Sequence, residues 1–188
     1  MIYKLTVWQY KISVFSTITF LVLCIFWFVL DCGRLEPLVV FFGGLAALSS
    51  LVWPKPNYGN KRLRGRDSFN YSSNNGLFTI GNGEYTFVTM WTKAGDTSIH
   101  LYSDHSSIEC IALADNVMHF GEVRNAEAFD FTSRSRSIAE NQIAVLKNKI
   151  GHYALVRVVD VKDNSRKDDR DELSIEWVIN PNLEKDFS

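Results

Sequence analysis

The chain has 188 residues, with 20 Lys and Arg against 21 Asp and Glu, and its mean hydropathy is −0.05. A charge balance this even gives no global basic field for gripping duplex nucleic acid, and the scattered Cys24, Cys32 and Cys110 suggest no disulfide framework. The averages join two dissimilar parts: an N-terminal third that is almost wholly apolar, and a charged remainder from about Asn57 onward, at about 130 residues long enough for one core and not for two.

Two uncharged runs open the chain, ISVFSTITFLVLCIFWFVL over 12–30 and PLVVFFGGLAALSSLVW over 37–53, with DCGRLEP between them. A bilayer core of roughly 30 Å takes about 20 apolar helical residues, so both runs predict transmembrane helices, paired as a hairpin within residues 1–56. A signal peptide fits less well, because the first run ends in the bulky FWFVLDCGR. Lys4 and Lys11 precede the first run, and Lys55, Lys61, Arg62, Arg64 and Arg66 follow the second; this asymmetry predicts a two-pass protein with both termini cytoplasmic. Gly43, Ala46, Ala47 and Ser50 share one helical face, a pattern that lets helices approach closely, within the hairpin or between copies. Residues 57–76, with NKRLRGR, read as a basic juxtamembrane linker.

From Leu77 to Ser188 the pattern changes to period two, broken by GNG, KAGD, DHS, NKIG and DNSRKDDRD. The segments LFTI, EYTFVTMWT, TSIHLYS, SIECIALA, AEAFDF, NQIAVLK, HYALVRVVDV and ELSIEWVI predict about eight strands joined by hairpin turns. In the last, Leu173, Ile175, Trp177 and Ile179 make a dry face, and Glu172, Ser174 and Glu176 a wet one. Such strands suit a two-sheet sandwich or a closed barrel. The expected fold is a membrane α-helical hairpin plus an all-β part, two N-terminal transmembrane helices followed by an antiparallel β-barrel of about eight strands, with residues 77–188 a cytoplasmic ligand-sensing domain.

Catalytic signatures are missing: there is no G-x-S-x-G, no phosphate loop and no H-E-x-x-H, so no catalytic residue and no enzyme activity is expected. His100, His105 and Cys110 stand with four residues between each pair, wider than zinc pairs, and DNSRKDDRDE lacks the ordered spacing of a calcium loop, so no metal or cofactor is expected. TSRSRS over 132–137 reads as a polar surface loop or as a phosphate grip through Arg134 and Arg136. Tyr85, Phe87 and Trp91 alternate along one strand with Lys93 beyond, either as core filling or as stacking platforms for bases.

The stretch FNYSSNNGLFTIGNGEYTFVTMWTKAGDTSIHLYSD over 69–104, together with the two apolar runs, resembles the two-transmembrane, β-strand-rich effectors of cyclic-oligonucleotide-based anti-phage signalling systems (CBASS). The likeness is most specific in N-x-Y-S-x-N-N-G, G-x-G-E-Y and W-T-K-A. It implies a bacterial inner-membrane protein whose barrel binds a cyclic dinucleotide from a partner nucleotidyltransferase, with no DNA or RNA polymer involved. On activation the protein would homo-oligomerise and disrupt the lipid bilayer, in abortive infection. A ligand with two bases and two phosphates calls for aromatic platforms and cationic or amide donors. The candidates of those types, before, within and beyond the second predicted strand, are Tyr71, Asn75, Tyr85, Trp91, Lys93 and Arg134 or Arg136. The rival readings are a membrane-tethered barrel that holds a protein or lipid partner without killing, and a membrane hydrolase.

Overall fold

The computed structural model describes residues 2–30, 33–51, 58–166 and 168–188. It divides into two compact units, Met1–Pro56 and Asn57–Ser188.

Among the described residues the first unit holds two helices, α1 (Ile2–Leu30) and α2 (Glu36–Leu51), with a short 3-10 turn at Gly33–Leu35 between them. They pack on each other through small groups. The buried Ser16 hydroxyl donates to the Phe42 carbonyl at 3.3 Å, and a Cβ added at Gly43 would lie 2.9 Å from the Phe20 ring. The small-residue face of α2 is thus used at Gly43 for contact inside the chain. Ala46 and Ala47 also make interactions of their own, while the side chain of Ser50 lies outside the described residues. Large apolar side chains such as Phe15, Ile25 and Phe28 remain exposed.

Among the described residues no helix is long and apolar enough to cross a membrane. This overturns the expected transmembrane hairpin with spans over 12–30 and 37–53, and with it the two-pass inner-membrane location with cytoplasmic termini. The shortfall is plainest in α2. Its 16 residues start on Glu36 and rise about 24 Å at about 1.5 Å per residue, short of a hydrocarbon core of roughly 30 Å. The end of the second apolar run, through Trp53, and the DC of the turn lie outside the described residues.

Among the described residues the second unit carries ten strands in two mostly antiparallel five-stranded sheets, in place of the expected eight-stranded barrel. They are β1 (Gly59–Asn60), β2 (Arg64–Phe69), β3 (Leu77–Ile80), β4 (Phe87–Lys93), β5 (Ser98–Tyr102), β6 (Ile108–Leu113), β7 (Ser135–Ala139), β8 (Ile143–Asn148), β9 (Tyr153–Lys162) and β10 (Glu172–Ile179). One sheet, called A below, runs β1-β3-β4-β5-β7, and the other, B, runs β2-β10-β9-β8-β6. The basic segment read as a linker supplies β1 and β2: β1 lies parallel to β3, and β2 pairs antiparallel with β10, with Gly65 opposite Trp177. TSRSRS, read as a loop, enters β7, where Arg136 pairs with Leu101. AEAFDF is not a strand. Asn125 caps a 3-10 turn at Ala126–Ala128, and the Ala126 N–H donates to Lys185 O, so this segment pairs with the C-terminal tail instead.

Period-two patterning builds the interior. Phe78 and Ile80 of β3, Phe87 and Trp91 of β4, and Ile99 and Leu101 of β5 point inward from sheet A. They meet Phe69, Leu146, Val156, Ile175 and Trp177 of sheet B. Phe69 stacks on Phe78 at 4.2 Å between ring centroids, and Phe78 meets Trp177 edge-on at 6.4 Å, joining the sheets. The expected dry face of β10 is buried, and Glu172 and Ser174 of the expected wet face are buried too, because β10 is an inner strand. In β9, Val158 and Val161 both reach the core although three residues apart, since the pairing with β10 shifts register at Ser174/Ile175.

A second apolar layer lies on the far side of sheet B. Ile143, Val145, Tyr153 and Leu155 pack there against Phe120, Val123 and Ala126, with Phe129, Phe131 and Phe187 at the margin. Around β8 sheet B is therefore buried on both faces, which explains the unbroken burial of Ile143, Ala144, Val145 and Leu146.

Candidate functional site

The residues suggested for ligand contact fall into three places. Trp91 is wholly buried, and its indole N–H donates at 2.6 Å to Thr89 Oγ1, whose own hydroxyl donates to Phe78 O at 2.8 Å. It is a core residue with its polar atom satisfied. Tyr71 is buried as well, its hydroxyl donating to Lys162 O at 2.9 Å. Burial first, then the charges of Asp171 and Asp163, push that phenol well above its ordinary range. Asn75 is exposed on a left-handed turn, and the next residue, Gly76, has φ +73° with a would-be Cβ only 1.9 Å from Trp91 O. That turn closes on the back of β4. Tyr85 is half-buried against the His152 ring, 4.7 Å between centroids, and its bond to the Glu84 carboxylate raises its phenol pKa.

Lys93, at the end of β4, anchors the second place. Its ammonium lies 2.7 Å from Asp163 and 3.1 Å from Asp171, carboxylates of the turn between β9 and β10. The turn is folded by its own acidic groups: Asp163 N–H donates to Asp168, Asn164 N–H to Asp171, and the Ser165 hydroxyl to Asp163. Ser72 adds a 2.6 Å bond to Asp171, and Tyr71 reaches the same carboxylate at 3.4 Å. The hydrogen bond from Lys93 leads in depressing Asp163 to about 2, and bonding to Asp163 raises Lys93 against a smaller burial effect. The structure thus brings Tyr71 and Lys93 together around Asp171, in a cluster where, among the described residues, Asp163, Asp168 and Asp171 face Lys93 and Arg166. Such a field repels phosphate. Among the described residues no group of three or more His, Cys, Asp or Glu is placed to hold a metal ion.

The third place is the outer face of sheet A. Antiparallel pairing sets Met90, Tyr102 and Ser135 in one row and Thr92, His100 and Ser137 in the next. Directly paired residues share a face, so these two rows turn away from the core formed by Trp91 and Leu101. His100 and Tyr102 meet edge-on with centroids 6.2 Å apart. Arg134, next to this face and 75% exposed, holds Asp104 with two bonds of 2.5 and 2.8 Å. Arg136 turns the other way, to the carbonyl and carboxylate of Asp130. Thr132 and then Arg136 hold that carboxyl far below the usual range. Among the described residues no buried apolar cluster covers this face. Sequence reasoning weighed His100 only as a metal ligand and missed Tyr102, although TSIHLYS alternates them against Ile99 and Leu101.

No known protein family matches this sequence, and no curated protein or solved structure matches the chain.

Proposed function

We propose that the β unit is a non-catalytic receptor for a cyclic dinucleotide, bound on the outer face of sheet A. The observation that carries this reading is the difference in cover. Sheet B is packed on both sides, whereas sheet A keeps an open face with an aromatic pair, hydroxyls at Thr92, Ser135 and Ser137, and the exposed fork of Arg134. Bases stack on aromatic faces whatever their identity, and a guanidinium fork matches phosphate oxygens. The Arg134–Asp104 pair sits at the surface, where ion pairs are weakly held, so a phosphate can take the place of Asp104. Tyr71 and Trp91 serve as core supports here, and Lys93 as a strut for the acidic turn.

The likeness to CBASS effectors supplies the setting: a nucleotidyltransferase makes the ligand, and binding drives copies of the chain to assemble. Membrane disruption is no part of the proposal, since no described helix is long and apolar enough to cross a bilayer.

Calorimetry on the full chain tests it with a panel of cyclic dinucleotides. Micromolar or tighter binding is expected, about 8 kcal/mol or more, and Tyr102→Ala weakens it by about 1 to 3 kcal/mol. Absence of heat with folded protein, or binding unchanged by Tyr102→Ala and Arg134→Ala together, overturns the proposal and favours a protein-binding face.

A further inference from the structure

The margin of sheet A farthest from β7 carries a second, separate opening. Three bonds lock the chain before β2 onto β3 and the GNG turn: Thr79 N–H to Tyr58 O at 2.9 Å, Gly81 N–H to Asn60 O at 2.9 Å, and Asn82 Nδ2 to Lys61 O at 2.7 Å. Between these walls lies a cavity of about 390 Å³, bordered among others by Asn60, Lys61, Thr79, Asn82, Gly83 and Thr86. That volume is at the small end of ligand sites. No residue bordering it is a carboxylate or has a large apolar side chain.

Its charge is equally uneven. Among the described residues the ammonium of Lys61 has no carboxylate partner, and neither have the guanidinium groups of Arg62, Arg64 and Arg66 that follow it. Elsewhere in the unit Lys93, Arg136, Lys147, Arg157 and Lys162 each meet a carboxylate within 4.0 Å. The hydroxyls of Thr79 and Thr86 likewise have no hydrogen-bond partner among the described residues. Above Gly83 there is open space, since a Cβ built there would meet nothing within 4 Å. Two acids flank the cavity: Asp67, whose carboxylate accepts from Asn60 Nδ2 at 3.0 Å, and Glu84 of the turn, whose bonding raises the Tyr85 phenol.

We infer that this cavity binds a phosphate group, either free phosphate or the head of a small phosphomonoester. A phosphate dianion only accepts hydrogen bonds, and the residues bordering the cavity carry an ammonium and two hydroxyls without a partner among the described residues, on a frame already fixed by backbone bonds. The site lies at the β1/β3 margin, and the Tyr102 row at the β5/β7 margin, so the two sites are independent.

The test is an amide NMR titration of the full chain with inorganic phosphate, against chloride at matched ionic strength, followed by the same titration with a phosphomonoester. Saturable shifts confined to 59–61 and 79–86 are expected. Lys61→Gln should weaken the affinity at least tenfold, while Arg64→Gln, at the start of β2 in sheet B and outside the cavity lining, should change it less than twofold. A phosphomonoester that binds more tightly than phosphate identifies the larger ligand as the occupant, and equal affinities identify the free ion. Shifts that never saturate, or that persist unchanged in Lys61→Gln, show a diffuse counter-ion effect and overturn the inference. Because the reporting amides sit at the GNG turn, either result leaves the Tyr102 face to be judged by its own titration.

Discussion

Sheets A and B have equal strand numbers and share one core, yet they differ in what lies on their outer faces. In β8 of sheet B, Ile143 through Leu146 are buried without interruption, because the segment around Phe120 to Phe131 and the C-terminal tail cover that side. In β4 of sheet A, Phe87, Thr89 and Trp91 are buried, while Val88, Met90 and Thr92 between them are only half-buried. The continuous apolar run of β8 goes with a covered face and the alternation of β4 with an uncovered one, although β10 alternates in sequence and still has Glu172 and Ser174 buried. That difference is the ground on which the receptor face is proposed, without reference to any motif.

Substitutions sharpen the contrast in order of size. Trp177→Ala, which empties the shared interior and removes the indole bond to Arg62 O at 3.0 Å, should cost about 3 to 5 kcal/mol in denaturant unfolding. Phe120→Ala, in the cover of sheet B, should cost about 2 kcal/mol, since it exposes Ile143 and Leu155 and loses the Arg157 contact at 4.9 Å. If its cost matched that of Trp177→Ala, the cover would be as much a core as the interior. The acidic turn gives a pH-dependent effect. Asp163 is depressed from 3.8 to about 2 in the folded chain, so its contribution is complete above 3.8 and is lost as the pH falls through about 2. Melting temperatures of the wild type and Lys93→Gln should therefore differ at pH 5 and converge toward pH 2; a constant gap would mean that the ion pair is not the cause. Thr92→Val, on the open face, should change stability by no more than about 0.5 kcal/mol. A larger loss would show that this face is covered after all.

Much of the β unit was legible because its strands alternate. LFTI, TSIHLYS and ELSIEWVI fall where β3, β5 and β10 lie, and NQIAVLKNKIGHY is strand, turn, strand, as expected, although Ile143, Leu146, Lys147 and Ile150 also stand at helical spacing. Three elements were hidden for separate reasons. RGRDSF of β2 presents Gly65, with no side chain, to the Trp177 ring, so its inward face carries little hydrophobic signal. SRSIA of β7 buries only Ile138 fully, as an edge strand does. AEAFDF alternates like a strand, but its aromatic residues pack over sheet B without joining a ladder. The helical runs misled through composition: an uncharged stretch states how apolar a segment is, and the helix that forms from it can still be too short, as α2 is. At the candidate site, residue type alone could not separate Trp91, whose N–H is satisfied inside, from Tyr102, which alternation turns outward.

The central claim is that sheet A's outer face binds a cyclic dinucleotide while covered sheet B does not. Amide NMR of the full chain, titrated with the cyclic dinucleotide that gives the largest calorimetric heat, tests this most directly. The account predicts saturable shifts at Met90, Thr92, His100, Tyr102 and Ser135, with Ala144, Val156 and Ile175 unmoved. Shifts centred on sheet B or on the acidic turn around Asp163, with the Tyr102 row silent, would contradict it.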